Sequence, residues 1–171
     1  MTLATKITLL RIILIPLFIF LLGQKLYFWA SVIFILLALT DILDGLLARV
    51  GNQKTELGSV LDPLADKLLL SSAYLVLALQ DKLPLWLFLI VFTRDLLIVV
   101  GWTTIYILTK NTVTIPRIAG KISTIMQVMT VLLILLNLPW KDYFFYLTAA
   151  LTIISGIDYL LLGSRKLVYA K

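Results

Sequence analysis

The chain has 171 residues, 61% of them hydrophobic and only 14% charged, with a net charge of +6, whereas a soluble domain is about half apolar and about a quarter charged. It contains no cysteine and no histidine, which excludes disulfide frameworks, thiol nucleophiles, imidazole acid–base chemistry, phosphohistidine intermediates and the usual zinc sites. Chemistry has to run on carboxylates, hydroxyls, Lys/Arg and metal ions, and without a basic run interleaved with aromatics nothing points to a nucleic-acid partner.

Long apolar runs and a mean hydropathy of +1.07 predict an all-α, polytopic integral membrane protein. About 20 apolar residues cross the hydrocarbon, and the sequence divides into six transmembrane helices forming a single unit over residues 1–171. The first runs from about Lys6 to Leu22. The opening stretch is weakly basic and then apolar with no small-residue cleavage site after it, so it reads as a span and not as a removable signal. After Gly23-Gln24-Lys25 the second helix runs from about Leu26 to Arg49. A polar turn, Gly51 to Glu56, leads to the third, from about Leu57 to Leu79. Asp81-Lys82-Leu83-Pro84 turns the chain into the fourth, from Leu85 to about Leu108, with Pro84 suited to a helix start. Thr109 to Pro116 connects to the fifth, from about Arg117 to Leu136. Asn137 to Asp142 closes that hairpin, and the sixth runs from Tyr143 to about Leu162, followed by a basic tail.

Orientation follows from Lys and Arg. Lys6, Arg11, Arg49, Lys54, Lys110, Arg117, Lys121, Arg165, Lys166 and Lys171 fall on one side; Lys25, Lys82 and Lys141 fall on the other. The first side is expected to be cytoplasmic in a cell (inner) membrane, with both termini inside. Tyr27, Phe28, Trp29, Trp86, Trp140 and Tyr143 sit at the opposite ends as interfacial anchors.

Asp41, Asp44, Asp62 and Asp66 stand out in this setting. Carboxylates in apolar spans are costly and mark functional sites. Asp41 and Asp44 are three apart, Asp62 and Asp66 four apart, so each pair shares a helix face. The turn between their helices is short, which lets the pairs face each other at one depth near the cytoplasmic boundary. Four converging carboxylates repel unless a counter-charge is present. Hard oxygen ligands suit Mg²⁺ or Mn²⁺, and two such ions can share the four groups and clamp a phosphoryl displacement. The plain alternative is that the aspartates cap helices or pair with Arg49 and Lys67. Gly45, Ala48 and Gly58 either let the helices pack closely or leave room for a flat ligand. Arg49 offers its planar fork to a diphosphate or snorkels to the interface.

Asp41-x-x-Asp44-Gly45-x-x-Ala48-Arg49, eight residues, then Gly58-x-x-x-Asp62-x-x-x-Asp66 resembles the signature of the CDP-alcohol phosphatidyltransferase family at all eight fixed positions. The resemblance implies a six-helix membrane enzyme, usually a homodimer. Such an enzyme moves a phosphatidyl group from a CDP-linked lipid such as CDP-diacylglycerol to an alcohol and releases CMP. By the family's pattern Asp41, Asp44, Asp62 and Asp66 bind metal, Asp66 also serves as general base on the acceptor hydroxyl, and Asp44, Gly45, Ala48, Arg49 and Gly58 line the CDP pocket.

The acceptor is read from other residues. Arg94 lies inside the fourth helix beside Asp95, and an arginine at membrane depth is a candidate ligand-binding group, with a structural contact to a neighbour as its alternative. Arg117 and Lys121 open the fifth helix, where they bind an anion or act as positive-inside anchors. Together these three are the candidate site for an acceptor's phosphate. Gly120 to Thr124, with Gln127, resembles family members that take glycerol 3-phosphate and yield phosphatidylglycerophosphate. Thr93-Arg94-Asp95 and Leu61 to Lys67 equally resemble members that take phosphatidylglycerol and make cardiolipin. The sequence departs from the common pattern at Thr5, where many members have Asn, and at Trp102, where acceptor-phosphate members often have a second Arg. From another class, a cation or proton transporter would also place carboxylates in spans, although broken helices and inverted repeats are not visible.

Overall fold

The computed structural model describes the backbone of residues 3–50, 56–109 and 118–169, and the side chains of 13–40, 67–101 and 118–161. It is all-helical, with six helices and no strand among the described residues: α1 (Leu3–Gly23), α2 (Tyr27–Val50), α3 (Glu56–Leu79), α4 (Leu85–Thr109), α5 (Ile118–Leu135) and α6 (Lys141–Tyr169). Each expected helix is present. The largest difference is α6, which carries the basic stretch Ser164-Arg165-Lys166 inside the helix, because Leu, Arg and Lys are good helix formers and Gly163 alone does not stop it. α1 runs on through Pro16.

Three turns stop the helices in the same way. Lys25, Asp81 and Asn137 each take a positive φ, of 59°, 55° and 50°. Each is flanked by paired backbone bonds: Lys25 N–H to Leu22 O and Leu26 N–H to Leu21 O, with the same pattern at Asp81–Lys82 and Asn137–Leu138. A left-handed residue after the last turn satisfies carbonyls that the helix leaves open. The conformation costs an L-residue about 1–2 kcal/mol and suits Asn and Asp better than Lys. Lys25→Gly is therefore expected to stabilise the protein by roughly 0.5–1 kcal/mol, read as a higher unfolding midpoint in detergent. Asn137→Gly should gain less, and a loss on Lys25→Gly would mean that the lysine side chain holds the turn.

The three turns gather at one end. Gln80 donates to Leu22 O (2.8 Å) and accepts from the Tyr27 hydroxyl (3.0 Å), so the residue after α3 caps the end of α1. Trp86 at the start of α4 stacks on Tyr146 of α6 with centroids 5.7 Å apart. Phe28, Trp29, Trp140 and Tyr143 are exposed at this end, as interfacial aromatics are.

α1 packs on α2 and α3, α4 on α3 and α6, and α5 on α6, α2 and α3. α1 and α5 each lie against both α2 and α3. The core is apolar around Phe18 and Phe34, whose rings are 5.4 Å apart, with Leu22, Leu37, Tyr74 and Leu77 fully enclosed. The outside is apolar as well. α4 buries Leu87 and Val91 yet exposes Leu89, Phe92, Leu96 and Val100, so no polar face turns outward as it does on the helices of a soluble bundle.

Polar groups are instead inside. Ser123, Gln127 and Thr130 of α5 and Thr148, Thr152 and Ser155 of α6 are all buried. They meet as a seam: Thr130 to Thr148 at 2.7 Å, Ser123 to Thr152 at 3.1 Å and Gln127 Nε2 to Thr152 Oγ1 at 3.3 Å. Between helices in lipid such a bond contributes about 0.6 kcal/mol on average. Among the described residues two helical segments, Ile118–Leu135 and Lys141–Leu161, are long and apolar enough to cross a membrane, and shorter apolar helical stretches occupy Ile13–Gly23, Tyr27–Thr40 and Lys67–Leu79.

Candidate active site

Asp41, Asp44, Gly45, Ala48 and Arg49 fall in α2, and Gly58, Asp62 and Asp66 in α3. Their side chains, with those of Thr5 and Trp102, lie outside the described residues, and so does Arg117. No group of three or more His, Cys, Asp or Glu able to hold a metal ion occurs among the described residues. The helical placement keeps the three- and four-residue spacings of the aspartates on single helix faces. The donor set, four carboxylates, has the hard-oxygen chemistry that Mg²⁺ requires.

One residue beyond Asp66, the described site begins. A cavity of about 480 Å³ opens between α3, α4, α5 and α6, lined by Lys67, Arg94, Gly120, Lys121, Thr124 and Tyr159 among others. The structure thus brings together two of the three cations assigned to the acceptor, Arg94 and Lys121. It adds a third, Lys67, from the helix that carries Asp62 and Asp66. No carboxylate is among the described residues lining the cavity.

Arg94 is the most enclosed of the three cations. It and Asp95 are each 8% exposed. Nη1 donates to Asp95 Oδ1 at 2.6 Å and Nη2 donates to Ser155 Oγ at 2.8 Å. The guanidinium carbon lies 5.7 Å from the centroid of the Tyr159 ring, within cation–π range. Nε is buried without a hydrogen-bond partner. Arg94 makes the structural pair with its neighbour and also lines the cavity. Lys67 Nζ donates to the Asp95 backbone carbonyl at 3.3 Å, which ties α3 to α4 beside the pair.

Removing one partner of a buried pair leaves an uncompensated charge and costs about 3–5 kcal/mol. Asp95→Ala is expected to lower stability by about that much, whereas Asp95→Asn keeps an acceptor oxygen for Nη1 and should lose less. Chemical unfolding in detergent measures both, and equal losses would show that the charge is immaterial.

Sequence reasoning missed Lys67, Ser155 and Tyr159 as members of this site. In the sequence Lys67 reads as a partner for the aspartates. Ser155 and Tyr159 belong to the set Thr148, Thr152, Ser155, Tyr159, spaced four, three and four residues apart in an apolar helix. That periodic hydroxyl stripe was the available signal.

These features define a class: an all-helical bundle, apolar outside, with a hydroxyl seam within and a cationic cavity beside a carboxylate-bearing helix pair. Residues 1–154 match the model of the CDP-alcohol phosphatidyltransferase family. The chain belongs to that family and is a transferase. It is 34% identical to a probable phosphatidylglycerophosphate synthase of Mycobacterium tuberculosis, across 92% of this chain and 79% of that protein. To the CDP-diacylglycerol–glycerol-3-phosphate 3-phosphatidyltransferase of Bacillus subtilis it is 32% identical, across 92% of each. A CMP-forming cardiolipin synthase of Rattus norvegicus is 36% identical across 70% of this chain and 39% of its own length.

Proposed function

We propose that the protein is a polytopic enzyme of the cell (inner) membrane with six spans. It transfers the phosphatidyl group of CDP-diacylglycerol to glycerol 3-phosphate, giving phosphatidylglycerophosphate and CMP. The observation that carries the acceptor is the convergence of Lys67, Arg94 and Lys121 on one cavity whose described lining has no carboxylate. A phosphomonoester carries about −1.5 to −2 charge at pH 7, and three convergent cations match it better than the single charge of a phosphodiester. The names of the Mycobacterium and Bacillus relatives agree with this reading. The membrane setting is supported by the apolar exterior, the buried polar seam and the interfacial aromatics. Family membership displaces the transporter reading.

Asp41, Asp44, Asp62 and Asp66 would hold two Mg²⁺ or Mn²⁺ ions. Bound there, the metals supply positive charge against the diphosphate and the departing CMP. The chain's own groups do the rest. Gly45, Ala48 and Gly58 leave the CDP against bare backbone, with Arg49 on its phosphates. Lys67, Arg94, Lys121 and Arg117 hold the acceptor by its phosphate. Asp66, one residue before the cavity-lining Lys67, takes the proton from the acceptor hydroxyl as that oxygen bonds to the phosphatidyl phosphorus and the bond to CMP breaks. The active site and both termini face the cytoplasm, where water-soluble CMP leaves while the acyl chains stay in lipid. The working unit is a homodimer of this one-domain chain.

Incubation with CDP-diacylglycerol and a panel of acceptors, with the lipid product weighed by mass spectrometry, tests the reading. Phosphatidylglycerophosphate from glycerol 3-phosphate is expected. The similarity to a cardiolipin synthase supports phosphatidylglycerol as the second reading, and cardiolipin as the sole product would establish it instead.

A further inference from the structure

We propose that Ser155 and Tyr159 of α6 are positioning residues, which hold Arg94 against Gly120 so that its guanidinium forms the wall of the phosphate site. Both lie beyond residues 1–154, the stretch matched by the family model. The inference rests on the acceptor reading above.

An arginine on α4 has a long stem, and aiming it at a ligand requires that rotamer freedom be removed beforehand. Three contacts remove it here. Asp95 takes Nη1 and Ser155 takes Nη2, which fixes the plane of the fork. Tyr159 lies under the guanidinium carbon. Gly120 closes the fourth side from α5. A Cβ there would come within 3.3 Å of Arg94 Nη2 and of the Tyr159 ring and hydroxyl, so the slot has no spare room. Ser155 is fully buried and sits three residues after Thr152, which is itself bonded to Ser123. The α5–α6 seam therefore fixes the height of Ser155, and through it that of Arg94. Tyr159 faces the cavity as well as Arg94, so the same ring that steadies the cation also bounds the space for the ligand.

The test uses the full-length protein in detergent, with inorganic phosphate as the binding probe and glycerol 3-phosphate in turnover. Losing one bond to a charged group that must be pre-aimed is expected to weaken phosphate binding about tenfold in Ser155→Ala and in Tyr159→Leu. Tyr159→Phe keeps the ring face and should stay within about twofold of the parent. In turnover, KM for glycerol 3-phosphate should rise by the same factor, while KM for CDP-diacylglycerol and kcat stay within about twofold. In an Arg94→Gln background Ser155→Ala should have no further effect, because the residue acts only through Arg94.

Unchanged phosphate affinity in Ser155→Ala, or a parent protein that binds no phosphate, would overturn the proposal. So would a parallel rise of both KM values, which marks a general loss of structure. Should Tyr159→Leu fail to fold, Ser155→Ala and its double mutant decide the matter alone. If phosphate binding follows the expected pattern but glycerol 3-phosphate gives no product, the acceptor assignment falls and the positioning role stands. If product forms and the variants bind and turn over like the parent, the reverse holds.

Discussion

Replacing Asp66 by asparagine is expected to leave the protein folded and to stop CMP release from CDP-diacylglycerol. Asparagine has nearly the shape of aspartate and keeps one oxygen, so α3 has no steric reason to change. It cannot accept the acceptor's proton at neutral pH, and it removes a charge from the proposed metal set. General-base loss alone costs about 10²–10⁴-fold, and a weakened metal site adds to it, so activity should fall by at least about a thousandfold. Asp142→Asn is the matched control: Asp142 is exposed in the first turn of α6, at the end where the three turns gather, and should be nearly silent. Radiolabelled CMP release measures both. Normal turnover by the Asp66 variant removes the general-base assignment, and a dead Asp142 variant places the active site at the wrong end of the bundle.

Removal of divalent metal by chelation is expected to abolish turnover, and Mg²⁺ or Mn²⁺ should restore it, while Ca²⁺ should restore less because it prefers a larger and looser oxygen shell. The physical ground is the density of negative charge. In the proposed site four aspartates and a diphosphate come together, and such a set repels itself without cations between its members. Loss should be complete, since no histidine or cysteine offers another route. Thermal unfolding of the chelated protein should also come at lower temperature, because metal bound to the folded state alone adds to its stability. A chelated enzyme that still turns over would refute the metal reading outright.

The fold was legible in the sequence because long apolar runs leave a chain few choices. Backbone groups in apolar surroundings have to be satisfied, most simply within their own segment, so apolar runs and their breaks at Gly23–Lys25, Asp81–Pro84 and Asn137–Pro139 mark helices to within a few residues. The end of α6 was not legible: a basic stretch after an apolar span can as well stay helical as unwind. The aspartate motif was readable as a family signature because its spacing carries a helical period on two successive helices. The cationic cavity was only partly so. Arg94 announced itself as a charge in an apolar helix and Lys121 as a basic residue at a helix start. That they meet Lys67 and Tyr159 depends on α3, α4, α5 and α6 coming together, which no local pattern encodes.

The repeated left-handed turns at Lys25, Asp81 and Asn137 bear on how the protein is made. Each closes a hairpin with bonds between neighbours in sequence, so α1–α2, α3–α4 and α5–α6 can each form as a unit as they leave the ribosome. All four aspartates, with Lys67 and Arg94, belong to the first two hairpins, whereas Gly120, Lys121, Ser155 and Tyr159 belong to the third. The aspartates are therefore synthesised before the α5 and α6 walls of the cavity, and Arg94 waits for Ser155 and Tyr159 until the last hairpin docks.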